Sequence, residues 1–199
     1  MNIISNDCVA AYIYQNHLKT EFKNPFIWHS IDIENFSKLV ESYDDIDFRN
    51  IKCELINNDT GICKKESLTP KIIIDNLIEV NYFHYIQDSN FKEPTKMSGY
   101  TFYNDIVEYA TDLYNKRLLK MTESPVFIWD VTKIKWYNKE GNAPLDVFKS
   151  MSPKYNLIIY QPFITNGKDG NIILLRKTNS GFEVNVSAKY IYNNVLKQM

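Results

Sequence analysis

Three thiols and three imidazoles are the side chains of this sequence best suited to covalent chemistry: Cys8, Cys53 and Cys63, and His17, His29 and His84. Cys8 has the most informative setting. Asn2 to Ser5 reads as a short strand, and Ser5, Asn6 and Asp7 all accept hydrogen bonds from free amides at a helix start. A thiol in the first turn of the following helix feels those amides and the positive end of the dipole, both of which favour thiolate. Such a turn presents a nucleophile at a sheet edge while the amides at its base, with the Asn6 side chain, collect a developing oxyanion. Asp7 opposes the thiolate by its charge, and small buried cysteines commonly do no more than pack. Cys8 is therefore read either as a nucleophile or as a packing residue, and neither Cys53, in a strand, nor Cys63, in a loop, has a better claim.

A thiolate needs a base. His84 falls in the alternating run Ile78, Val80, Tyr82, His84, Ile86, so a strand would hold its ring in a fixed orientation. A carboxylate on a neighbouring strand would set its tautomer, and Asp130 is the first choice, with Asp75 and Asp88 as rivals. The competing reading is a core histidine bonded to backbone or tyrosine. His17 lies nine residues beyond Cys8, or roughly 13 Å along one helix, which is too far to reach the thiol; His29 stays open. Candidates for substrate contact are Trp28, His29, Tyr85 and Arg117. Aromatic rings can stack on sugars or fill the core. Lys116, Arg117 and Lys120 can bind a sugar phosphate or simply complement a helix C-terminus.

The elements that must carry these residues follow from periodicity. Helices are expected over 8–19, 33–43 with Asp32 as cap, 101–121, 144–151 and 188–197, from apolar spacings of three and four. Strands are expected over 2–5, 51–56, 71–86 (either a hairpin turning at Asp75-Asn76 or one long bulged strand), 126–131, 155–161, 171–177 and 182–186, from β-branched and aromatic alternation. The pattern predicts one α/β domain of 199 residues, with a mixed central sheet flanked by helices.

Composition excludes several functions. With 23 Lys+Arg against 24 Asp+Glu there is no basic excess to neutralise a phosphate backbone, so no nucleic-acid partner is expected. No apolar run reaches membrane-spanning length and no secretion signal is recognisable, which makes the cytoplasm the expected location. Three cysteines without CxxC spacing argue against a disulfide framework or zinc site. Asp44-Asp45-Ile46-Asp47 lacks the glycine of a calcium loop and reads as a solvated turn. Phosphate-loop, dinucleotide, zinc-protease and serine-hydrolase motifs are all missing, so no cofactor and no metal is expected.

The ordered segments Ile3-Ile4-Ser5-Asn6-Asp7-Cys8, Asn24-Pro25-Phe26, Glu34 to Tyr43, Phe83-His84-Tyr85 and Tyr114-Asn115-Lys116-Arg117 resemble an uncharacterised bacterial family of exopolysaccharide and capsule gene clusters. The same order is similar to families regarded as papain-like cysteine peptidases. The resemblance spans residues 3 to 131 and implies matches at Cys8, His84 and Arg117, but Val9-Ala10-Ala11 stands where an aromatic residue and glycines are usual. It implies a protein of exopolysaccharide or capsule biosynthesis, read as a Cys8/His84/Asp130 hydrolase or acyltransferase with Asn6 in the oxyanion hole. The alternatives are a non-catalytic carbohydrate-binding or assembly module and a glycosyltransferase-like protein, whose DxD motif is absent apart from Asp45-Ile46-Asp47. Expected partners are a glycan, a sugar nucleotide or an acylated small molecule.

Overall fold

The computed structural model describes residues 1–27, 29–57, 68–81, 99–122, 124–131, 143–177 and 183–199. A five-stranded sheet holds β1 (Asn2–Ser5), β5 (Pro125–Asp130), β6 (Leu157–Gln161), β8 (Ile172–Arg176) and β7 (Gly167–Asp169), in that spatial order. The first four strands run parallel and β7 is antiparallel at the edge, giving the mixed α/β sheet that the periodicity predicts. A separate antiparallel sheet is built from β2 (Ile51–Asn57), β3 (Leu68–Ile74) and β4 (Ile78–Asn81). Asp75 and Asn76, both at positive φ, close the β3–β4 hairpin, with the Leu77 amide donating to the Ile74 carbonyl.

Because side chains alternate across a strand, the parallel sheet feeds two cores. Ile4, Phe127, Trp129, Leu157 and Ile159 point to one face and pack with Phe36, Leu39 and Val40 of α2 (Ile33–Ser42). Ile106 and Tyr114 of α3 (Gly99–Leu118), Phe148 of α4 (Ala143–Lys149) and the β3 and β4 isoleucines join that core. Ile3, Val126, Ile128, Ile158 and Tyr160 point the other way, toward α1 (Val9–Ile13) and α5 (Val184–Asn194). Phe36 anchors the first core, with its ring 5.4 Å from Trp129 and 6.0 Å from Phe148.

Helix boundaries largely follow the expected signals. The Asp32 carboxylate accepts from the Asn35 amide as a true cap of α2. Residues 14–18 continue α1 as a wider π-turn that ends at Lys19 in the left-handed conformation. One expectation fails: residues 184–186 are the first turn of α5 and not a strand. The β-branched Val184 and Val186 suggested the strand, but Val184, Ala188, Ile191 and Val195 make a stripe at helical spacing, packed against α1 and the sheet with Val184 only partly buried.

Candidate functional site

The four parallel strands end together, and their carboxyl ends carry Asn6, Cys8, Asp130, Gln161 and Lys177. The outer edge of β1 must be satisfied without a neighbouring strand. Tyr14 supplies its hydroxyl, accepting from the Ile3 amide at 3.0 Å, and Asn24 donates to the Ile3 carbonyl at 2.8 Å. His29 supplies the third contact, its Nε2 lying 2.7 Å from the Ser5 carbonyl oxygen. A carbonyl only accepts, so Nε2 carries the proton. Burial holds the imidazole neutral, bringing its pKa down to about 3, with Arg117 adding to the shift. The Asn24-Pro25-Phe26 turn and His29 thus work as an edge cover.

Beyond Ser5 the chain leaves the sheet, and Asn6 extends the ladder by one rung with its side chain. Its Oδ1 accepts from the Asp130 amide at 2.8 Å, and its Nδ2 donates to the Asp130 carbonyl at 3.0 Å. The helix start is capped by its neighbours. The Asp7 carboxylate accepts from the Val9 amide and the Ser5 hydroxyl from the Ala10 amide, each at 3.0 Å. Cys8 occupies the cap position itself, half-buried, with no side-chain bond to the helix amides. Burial, reinforced by the Asp7 charge, pushes its thiol up to about 12. The dipole and free amides that would favour thiolate are thus outweighed, and two of those amides are already taken.

Asp130 lies fully buried at the end of β5, and the buried group that meets it is Lys177. The Lys177 ammonium donates to Asp130 Oδ1 at 2.6 Å, to the Val131 carbonyl at 2.7 Å and to the Ser187 hydroxyl at 3.0 Å, and it stands 5.0 Å from the centroid of the Tyr160 ring. Three acceptors match the three protons of a charged lysine. Burial raises the pKa of the Asp130 carboxyl while the Lys177 ammonium pulls it down. Lys177 escaped sequence reasoning, although the run Ile173, Leu175, Lys177 placed it on a core-facing side. Ser187 gave no signal, since it falls between the strand expected over 182–186 and the helix expected over 188–197. Gln161, also fully buried, has a side chain with no hydrogen-bond partner among the described residues.

The other expected site residues are scattered or undescribed. Trp28, His84 and Tyr85 lie outside the described residues. The pairing of His84 with Asp130 therefore falls outside the described residues as well; β5, which carries Asp130, is flanked by β1 and β6. Arg117, near the end of α3, is buried; it donates to the Ile27 carbonyl at 3.2 Å and lies over Phe22, 5.1 Å from its centroid. Trp129 packs into the core. Asp47 accepts from the Arg49 amide in its own turn.

The comparison with known proteins covers the segment that holds Cys8 and His29. Residues 1–97 match the family model described as a domain of unknown function, DUF1919. That stretch contains β1 to β4, while Arg117, Asp130, Lys177 and Ser187 lie beyond it. No curated protein matches the chain. Among the described residues, no helix is long and apolar enough to cross a membrane.

Proposed function

We propose that the chain serves exopolysaccharide or capsule assembly by binding a glycan at the carboxyl edge of its parallel sheet. The polymer context rests on the residue resemblance alone. What supports the location is the gathering of Asn6, Asp130, Gln161, Lys177 and Ser187, all buried, where four parallel strands end. Open α/β sheets take their ligands at this edge, and the half-buried Cys8 marks where it meets the surface. Isotope-labelled protein titrated with neutral gluco- and galacto-oligosaccharides should show amide shifts at Asn6, Cys8 and Lys177. Saturating oligosaccharide without a response at this edge rules the reading out.

A second reading, hydrolysis or acyl transfer, is favoured by the placement of Cys8 on that same turn. The thiol would attack an acyl or amide carbon, with His84 taking its proton and returning it to the leaving group. A thiol raised to about 12 needs such a base close by. Iodoacetamide at neutral pH separates the two readings. Fast labelling of Cys8 over Cys53 and Cys63, lost in His84→Ala, supports catalysis; a Cys8 that labels only as the pH approaches 12 leaves the binding module.

A further inference from the structure

A different region of the surface carries a charge pattern that the whole chain does not. The last turns of α3 and the segment after the π-turn enclose an open cleft of about 430 Å³. Lys116 and Arg117 enter it from α3 and Lys120 from the turn that follows, and Glu21 and Phe22 enter it from the other wall. Among the described residues, three cations against one carboxylate leave a formal +2 in the cleft, in a chain whose total is −1. Lysines at a helix C-terminus are accounted for by the macrodipole, which there amounts to about half a negative charge. Arg117 is 94% buried against Phe22 and the Ile27 carbonyl and so holds its charge at a fixed place in the cleft wall.

Glu21 shows how the cleft is used when nothing else fills it. Its carboxylate accepts from Lys120 at 2.6 Å, and Lys120 together with Lys23 holds its pKa below the usual carboxylate range. Both partners are exposed, so the pair is weak and readily exchanged. A phosphate brings more charge and more acceptor oxygens than this carboxylate, and a planar guanidinium with flanking ammonium groups is the donor set that phosphates select. The volume is of the size that small ligands occupy.

We infer that this cleft is a binding site for a phosphate-bearing small molecule, held by Lys116, Arg117 and Lys120, with Glu21 as the built-in competitor it displaces. The site shares no residue with the sheet edge, so the two assignments stand or fall separately. The test is calorimetric titration of the full chain with inorganic phosphate, with glucose 1-phosphate and with glucose. The phosphate probes should bind and glucose should not; tighter binding of glucose 1-phosphate assigns the phosphate to a sugar, and equal binding assigns it to the free ion. Lys116→Ala, at a solvent-facing position of α3, should weaken binding at least fivefold. Glu21→Gln should tighten it about threefold or more, a gain that no loss of folding can imitate. Absence of binding at millimolar phosphate, or affinities unmoved by both variants, overturns the proposal.

Discussion

At Lys177 the difference between stabilising and merely tolerated charge becomes measurable. Its ammonium and the Asp130 carboxylate are both fully buried, so their mutual attraction offsets a desolvation cost that either would bear alone. Lys177→Met should lower the unfolding free energy by roughly 3–5 kcal/mol, because it strands the Asp130 charge. The double variant Asp130→Leu/Lys177→Met should recover much of that loss, as read by urea denaturation. A single-variant loss below about 1 kcal/mol would show that the pair is not charged as its hydrogen bonds indicate. His29 yields a pH prediction. The unfolded chain takes up its proton near 6.5 and the folded one only near 3. Between those values the unfolded state binds more protons, so stability falls with falling pH, by at most about 1.4 kcal/mol per unit, and the contribution is complete above 6.5. His29→Gln keeps an amide donor for the Ser5 carbonyl and should flatten this part of the stability profile.

Elements add effects that no single residue shows. Asn6 acts as a rung of the β1–β5 ladder, so Asn6→Ala should cost about 1–3 kcal/mol by leaving buried Asp130 backbone groups unpaired. Asn6→Asp is instructive in contrast: it keeps the acceptor for the Asp130 amide and loses the donor to the carbonyl. The β3–β4 turn is strained differently. Asn76 has a φ of 53°, a region that glycine enters at little steric cost. Asn76→Gly should leave the fold unchanged and raise thermal stability by at most about 1 kcal/mol, measurable as a small upward shift in Tm. The same turn was legible in the sequence because Asp-Asn between two β-branched runs is a local signal. The start of α5 was not, because Val184 and Val186 favour strands locally and only the surface against α1 decides for helix.

For the whole molecule, the family match and the cooperative unit do not coincide. Residues 1–97 supply only β1 to the five-stranded sheet, and β1 is paired with β5, which comes later in the chain. The core around Phe36 likewise needs Ile106, Phe127 and Phe148. A fragment of residues 1–97 should therefore lack the dispersed amide spectrum of the full chain, and adding a fragment of residues 98–199 should restore it. A fragment with a dispersed spectrum and a cooperative transition of its own would instead mark a separate folding unit. The two candidate sites are divided in the same manner: Cys8, Glu21 and Phe22 fall inside the matched segment, while the cations and the buried ion pair that complete each site fall outside it.

Local sequence determined the α/β class, the strand at Asn2 to Ser5 and the Asp32 cap, and it offered the Asp75-Asn76 turn as one of two readings. Each depends on neighbours a few residues away, where alternation, capping chemistry and left-handed propensity act. Cys8 and Arg117 were also singled out by residue type and position. Only the tertiary structure decided that Asn6 spends its amide on Asp130, that Asp130 meets Lys177, and that His29 seals the edge of β1. Those pairings join residues far apart in sequence, and they are selected by the low dielectric of the interior, which makes a buried charge or hydrogen-bonding group costly unless it is partnered. The thiol teaches the same lesson in one atom: local sequence left Cys8 open as a helix-start thiolate or a packing residue, and burial beside Asp7 pushes the thiol up to about 12.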